Sequence, residues 1–292
     1  VEDIWIAVDG LRVHALADGP ADGPLIVLLH GFPELARSWR HQLPALAEAG
    51  YRAVAPDQRG YGDTDMRGPY DANTLARDVV GLVRALGRER AVVIGHDWGG
   101  AVAWILARAH PEVVERLVAV NCPPPAVLTR ELLRNPRQLR RSWYMLFFQL
   151  PWLPERRMAR DGAAIVARAL VGGSYVRSAW PQQEVDGYRT AFARPGRAKA
   201  AIDWYRAAFR RSLVPRRRGG HSVRVTAPTL VLFGARDRFL GAELVEPAKL
   251  STVMAPGNEP VVVLVEDAGH YLQNEAPERV NEELLRWLGP AS

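Results

Sequence analysis

Cysteine is almost missing from this chain. Cys122 is the only one in 292 residues, so no intrachain disulfide holds the fold, and the reducing cytoplasm is the expected location. It follows an apolar run and reads as a small buried hydrophobe rather than a reactive thiol. No cluster of His and Cys at metal-ligand spacing appears, so no metal is expected. No run reaches the roughly 18 apolar residues that a membrane-spanning helix needs. The opening Val1-Glu2-Asp3 has neither a basic nor an apolar leader region, and no signal peptide is expected. Internal repeats and low-complexity tracts are absent. Lysine is scarce too: of 38 basic residues only Lys199 and Lys249 are lysines.

What is present is an ordinary globular composition, 48% hydrophobic and 24% charged. The length allows one large domain, or one domain carrying an insertion. The net charge of +6 is unevenly spread. Residues 126–220 hold 20 basic and 6 acidic side chains, and the remainder is acidic on balance. That asymmetry suggests two charge-complementary layers. Nucleic-acid or membrane-surface binding is open to such a charge, but no nucleic-acid motif accompanies it, so a solvated, Arg-rich helical surface is the expected reading and a nucleic-acid partner is not.

Hydrophobic patterning gives the architecture. Ile4–Val8, Asp9-Gly10 and Leu11–Leu16 read as a hairpin with the Asp-Gly turn signal. Leu25–Leu29, Ala53–Ala55, Ala91–Ile94, Leu117–Val120, Thr229–Phe233 and Val261–Val265 are short continuous apolar runs, as expected of strands buried on both faces of a parallel sheet. Helical patterns lie between them, as in Leu75–Leu86 and Val102–Ala109. A last helix follows Pro277. The expected fold class is α/β, a doubly wound and mostly parallel sheet. The alternation stops at Cys122-Pro123-Pro124-Pro125 and resumes after Arg216-Arg217-Arg218-Gly219-Gly220. This predicts a core of residues 1–122 and 221–292, interrupted by a helical insertion of residues 123–220.

The most informative stretch is Ala91–Gly100, AVVIGHDWGG. A buried strand runs into a tight turn and then a helix, the layout of a nucleophile elbow. Gly95, Gly99 and Gly100 supply the small neighbours such a turn needs. The elbow residue is Asp97. A carboxylate suits displacement at sp³ carbon, where an epoxide oxygen or a halide leaves, and gives an ester that water must then cleave. The bland alternative is that Asp97 simply caps the following helix. The fold places nucleophile, acid and His in that chain order. Asp237 follows one strand and His270 the next; His221 sits in the Gly-rich break. His270 is therefore the candidate base. Glu266 and Asp267 are nearer to it in sequence, but Asp237 is preferred because an orienting acid must approach from a neighbouring strand end. Gly31 lets the Phe32 N–H face the site, and with the Trp98 N–H it would form an oxyanion hole. His30 is expected only to bond loop backbone.

His30-Gly31-Phe32-Pro33, Asp57-Gln58-Arg59-Gly60-Tyr61-Gly62, Gly95–Gly100 and Gly269-His270 together resemble the α/β-hydrolase-fold epoxide hydrolases. The resemblance spans nearly the whole chain, including an inserted cap. It implies two cap tyrosines that hydrogen-bond and protonate the epoxide oxygen; these fall at Tyr144 and Tyr205. It implies no cofactor, with an epoxide and water as reactants; substrate contacts are expected at Phe32, Trp98, Phe148 and Trp204, and the cap aromatics suggest an apolar pocket and a hydrophobic epoxide. Trp143, Phe147, Trp152 and Trp180 belong to the same aromatic set on the cap. A homodimer is compatible with the sequence, as are roles in detoxification, lipid-epoxide metabolism or biosynthesis.

Two other readings compete. A haloalkane or haloacid dehalogenase shares the elbow, but halide release needs no pair of phenols. A haloacid enzyme is also expected to carry Arg where this chain has Trp98. A non-catalytic ligand receptor on the same scaffold need not keep nucleophile, acid, base and both phenols together.

Overall fold

A computed structural model describes residues 1–213 and 224–291. His221 and the Arg216–Gly220 break lie outside the described residues. Eight strands form one sheet: β1 (Glu2–Val8), β2 (Leu11–Asp18), β3 (Leu25–Leu29), β4 (Arg52–Pro56), β5 (Ala91–His96), β6 (Val114–Val120), β7 (Thr229–Gly234) and β8 (Val261–Val265). Their order is β1-β2-β4-β3-β5-β6-β7-β8. β1 pairs with β2, and β2 with β4, antiparallel; every later pair is parallel. Asp9 and Gly10 both adopt left-handed φ, 47° and 76°, as the Asp-Gly hairpin signal predicts.

Twelve α-helices accompany the sheet among the described residues. α1 (Gln42–Glu48), α2 (Ala72–Ala85), α3 (Trp98–Ala109), α10 (Pro247–Leu250), α11 (Leu272–Glu275) and α12 (Pro277–Leu288) connect or follow strands. α4 (Pro125–Arg134), α5 (Pro136–Arg141), α6 (Trp143–Phe147), α7 (Leu153–Gly173), α8 (Gln182–Ala193) and α9 (Arg197–Leu213) are inserted between β6 and β7. None is long and apolar enough to cross a membrane.

Successive strand residues point to opposite faces, and two apolar layers result. Val27, Leu29 and Val93 pack with residues of α2, α3 and the insertion. Ile26, Leu28, Val92 and Ile94 pack with residues of α1 and α12. β8 departs from expectation. It is a strand, but Val261 and Leu264 are exposed, because β8 closes the sheet and has a neighbour on one side only. The charge pattern also resolves differently from two complementary layers. Arg194–Asp63 and Arg141–Glu243 join a basic insertion to an acidic core, but Arg37–Glu184 and Lys249–Glu131 run the other way.

Candidate active site

β5 delivers its chain into the turn at Asp97, and α3 begins immediately afterwards. Asp97 has φ 48° and ψ −116°, a strained conformation for a residue with a side chain. The turn closes only because its neighbours are small: a Cβ at Gly99 would lie 2.2 Å from the Leu29 carbonyl oxygen. Asp97 makes no side-chain capping bond to α3, so the helix-cap alternative fails. Its carboxylate is held from elsewhere. The Phe32 N–H donates to Oδ1 at 2.9 Å. Gly31 makes this approach possible, since a Cβ there would lie 2.5 Å from that of Asp97. Trp98 opens α3, where the first N–H groups have no intrahelical acceptor. His30 is structural, as expected: Nδ1 meets the Gly31 carbonyl at 2.9 Å, and Nε2 accepts from the Gln58 N–H at 3.1 Å.

The parallel pairing of β7 with β8 brings the acid and base together. His270 Nδ1 lies 2.8 Å from Asp237 Oδ2, and its Nε2 lies 3.7 Å from Asp97 Oδ2. Glu266 and Asp267, the nearer acids in sequence, are exposed instead. Burial alone would lower the His270 pKa, but the Asp237 carboxylate, joined by the charges of Asp97 and Glu34, pushes it up to about 9. Asp237 is itself held below its usual range. Burial opposes ionisation there, and the His270 charge and hydrogen bonds from His270, Leu240 and Asn121 outweigh it.

The insertion supplies two phenols to the same cavity. Tyr144 of α6 and Tyr205 of α9 both line it, with ring centroids 6.0 Å apart. Burial raises both pKa values. The negative charge of Asp97 adds to the shift, so both hydroxyls keep their protons at neutral pH. The cavity has a volume of about 380 Å³ and opens onto Asp97 and His270. Phe32, Trp143, Phe147, Phe148, Met158 and Phe239 give it an apolar wall.

Four expected aromatics lie elsewhere. Trp204 is buried between Tyr61 and Trp98, and its Nε1–H donates to the Arg59 carbonyl at 3.1 Å. It packs the insertion on the core and does not reach the cavity. The Trp98 ring does not line the cavity but stands edge-on to Tyr205, 4.9 Å between centroids. Trp152 is exposed, and Trp180 is buried against Tyr188 and Tyr271.

The chain is similar to proteins already known. The α/β hydrolase fold family profile matches residues 24–277. AB hydrolase superfamily protein YfhM of Bacillus subtilis is 38% identical, over 97% of this chain and 96% of its own length. Epoxide hydrolase A of Mycobacterium tuberculosis is 33% identical, over 97% of this chain and 96% of its own. The crystal structure of Bacillus megaterium epoxide hydrolase superposes with a TM-score of 0.85 at 26% identity, covering 98% of this chain and 99% of that one. This chain belongs to the epoxide hydrolase family of α/β-hydrolase-fold proteins.

Within this epoxide hydrolase fold, three supporting groups escaped sequence reasoning. Asn121, at the end of β6, has φ 44° and is fully buried. Its Nδ2 donates to Asp237 Oδ2 at 2.8 Å, and its Oδ1 accepts from the Gly234 N–H at 3.0 Å. Glu34 is fully buried and meets His96 Nδ1 at 2.5 Å; His96 Nε2 in turn donates to the His270 carbonyl at 2.8 Å. Burial would raise the Glu34 pKa, but the His96 charge brings it down to about 2. Glu275 accepts four backbone N–H groups: Gly269 and Tyr271 on either side of His270, and Tyr175 and Val176 in the insertion. The sequence carried one weak signal, in Glu34 directly following His30-Gly31-Phe32-Pro33. Asn121→Ala removes one donor from a buried carboxylate, a loss of roughly 1–3 kcal/mol. A fall of about 10- to 100-fold in kcat/KM, with the fold retained by circular dichroism, is the expected result. Unchanged turnover would make Asn121 a packing residue only.

Proposed function

We propose that this protein hydrolyses hydrophobic epoxides to vicinal diols through an ester on Asp97. One observation carries the reading. The elbow carboxylate has Oδ1 held by the Phe32 N–H, while Oδ2 faces His270 Nε2. Its two oxygens are thereby assigned different work. In this reading residues 1–122 and 221–292 form the core that holds nucleophile, acid and base. Residues 123–220 form the cap that holds the phenols.

In the first step Asp97 Oδ2 attacks an epoxide carbon and the ring C–O bond breaks. The leaving oxygen takes a proton from Tyr144 or Tyr205, giving a hydroxy ester and a phenolate. Loss of the Asp97 charge removes one of the interactions that raise the His270 pKa, so more of His270 stands in the neutral form that can accept a proton once the ester exists. In the second step His270 Nε2 takes a proton from water, and hydroxide adds to the ester carbonyl. Asp237 keeps the Nδ1 proton in place. The oxyanion forms on Oδ1, against the Phe32 and Trp98 N–H groups. Collapse breaks the bond between the carbonyl carbon and Oδ2, the departing alkoxide takes the acid proton left on Asp97, and the diol leaves carrying Oδ2. The solvent oxygen stays on Asp97. The proton on His270 returns through solvent to the phenolate. The sequence of steps uses no metal and no organic cofactor.

The test is a panel of aryl and alkyl epoxides beside matched chloro- and bromoalkanes, assayed for diol and for halide. Diol without halide is expected. Halide without diol would move the activity to dehalogenation, and reversible binding without turnover would leave a receptor.

A further inference from the structure

The insertion leaves an unusual surface uncovered. Fifteen large hydrophobic side chains are exposed among the described residues, and six of them fall between Leu139 and Leu153. Singly exposed apolar side chains are ordinary. These are clustered, and two are tryptophans: Trp143 is 62% exposed and Trp152 60%. Leu146 and Leu150 stand between them, also exposed. Trp152 sits at a left-handed turn, φ 50°, at the start of α7, and the guanidinium of Arg156 lies over its ring at 4.8 Å. Phe209 of α9 shares an open depression with Trp152 and Arg156. Trp143 also lines the catalytic cavity, so the patch is continuous with the cavity mouth.

Unpaired positive charge surrounds this strip. Arg137 and Arg140 of α5 precede it, and Arg156, Arg157 and Arg160 of α7 follow it, all exposed. The nearest ion pairs are Arg141 with Glu243 and Arg206 with Glu155. Among the described residues the five flanking arginines enter none. Apolar and indole side chains inside a rim of arginine match the headgroup zone of an anionic bilayer, where tryptophan prefers to reside and arginine finds lipid phosphates. A second copy of the same face would bring one arginine rim against another, five arginines a side with Asp161 the one exposed acid directly beside them in sequence.

We propose that this face docks on the surface of an anionic lipid bilayer, seating the cavity mouth at the headgroups. No described helix can cross the bilayer, so the attachment is peripheral. An apolar epoxide dissolved in the lipid then reaches the apolar wall of the cavity without passing through water. Docking needs no turnover, so it stands or falls separately from the epoxide reading.

The experiment is sedimentation of the full chain with vesicles of phosphatidylcholine alone, or with about a third phosphatidylglycerol. The wild type is expected to sediment with anionic vesicles and not with neutral ones. Its tryptophan emission is expected to shift to the blue, and high salt should weaken the attachment. Leu150→Ser/Trp152→Ser, at positions outside the catalytic cavity, should lower the bound fraction at least tenfold while a water-soluble epoxide is turned over as before. Arg156→Gln/Arg157→Gln should weaken binding to anionic vesicles. Failure of the wild type to bind anionic vesicles, or equal binding by the serine variant, overturns the proposal. So does a dimer in solution that the serine variant converts to monomer without any vesicle binding.

Discussion

His270→Gln protein incubated with an epoxide should gain the mass of one substrate molecule, located on Asp97 by peptide mapping. Glutamine roughly fills the space of imidazole but offers no base at the Nε2 position. Asp97 can still attack, because its Oδ1 is still bound by Phe32 and both phenols remain. Ester hydrolysis then loses its general base, an effect of about 10²–10⁴-fold on turnover. The ester outlives purification, and mass spectrometry counts it. Asp97→Ala should form no adduct and no diol. A single turnover by wild type in heavy-oxygen water adds a second reading. The label should enter Asp97 and be missing from the diol, since the diol departs with Oδ2. Normal turnover by His270→Gln, an adduct on another residue, or label in the first-turnover diol would each end the ester mechanism for this chain.

The tyrosines should separate from the histidine by the step they affect. Tyr144→Phe/Tyr205→Phe removes both acids from the first step and leaves Asp97, Asp237 and His270 untouched. Formation of the ester should slow by about 10²–10⁴-fold, with each single variant falling between the double variant and wild type. The rate at which a preformed ester decays should hardly change. The clean measurement is the rate of adduct growth with the phenylalanine changes placed in the His270→Gln background, compared with His270→Gln alone. The raised pKa values favour this outcome. Burial and the Asp97 charge keep both hydroxyls protonated, so that each is a donor when the ring opens. If the doubly substituted protein alkylates as fast as its parent, Tyr144 and Tyr205 only pack the cavity wall.

Local chemistry made much of this site legible. The run through Gly95–Gly100 demanded a strained turn, and Asp97 occupies one. Chain order and strand ends selected Asp237 over two nearer acids, because adjacency in a sheet is fixed by topology rather than by distance along the chain. The strand runs were also readable, since apolar continuity reports burial. At β8 the same rule misled, because edge or centre is decided by partners that a single run does not contain. Trp204 shows a second limit. An aromatic on an amphipathic helix can face a cavity or a packed seam, and the spacing is the same for both. Asn121 and Glu275 mark the third. Asn121 reaches Asp237, and Glu275 reaches Tyr175, across a hundred or so residues of sequence, and no short motif announces either contact.

Glu275 has the widest reach of these. Through one carboxylate it anchors the loop that carries His270 and the segment at Tyr175 and Val176 of the insertion. Lifting that segment strands two amide hydrogens and frees the carboxylate that fixed the loop on both sides of the base. The aim of the base and the seating of the insertion therefore draw on the same carboxylate, so losing it would loosen both at once.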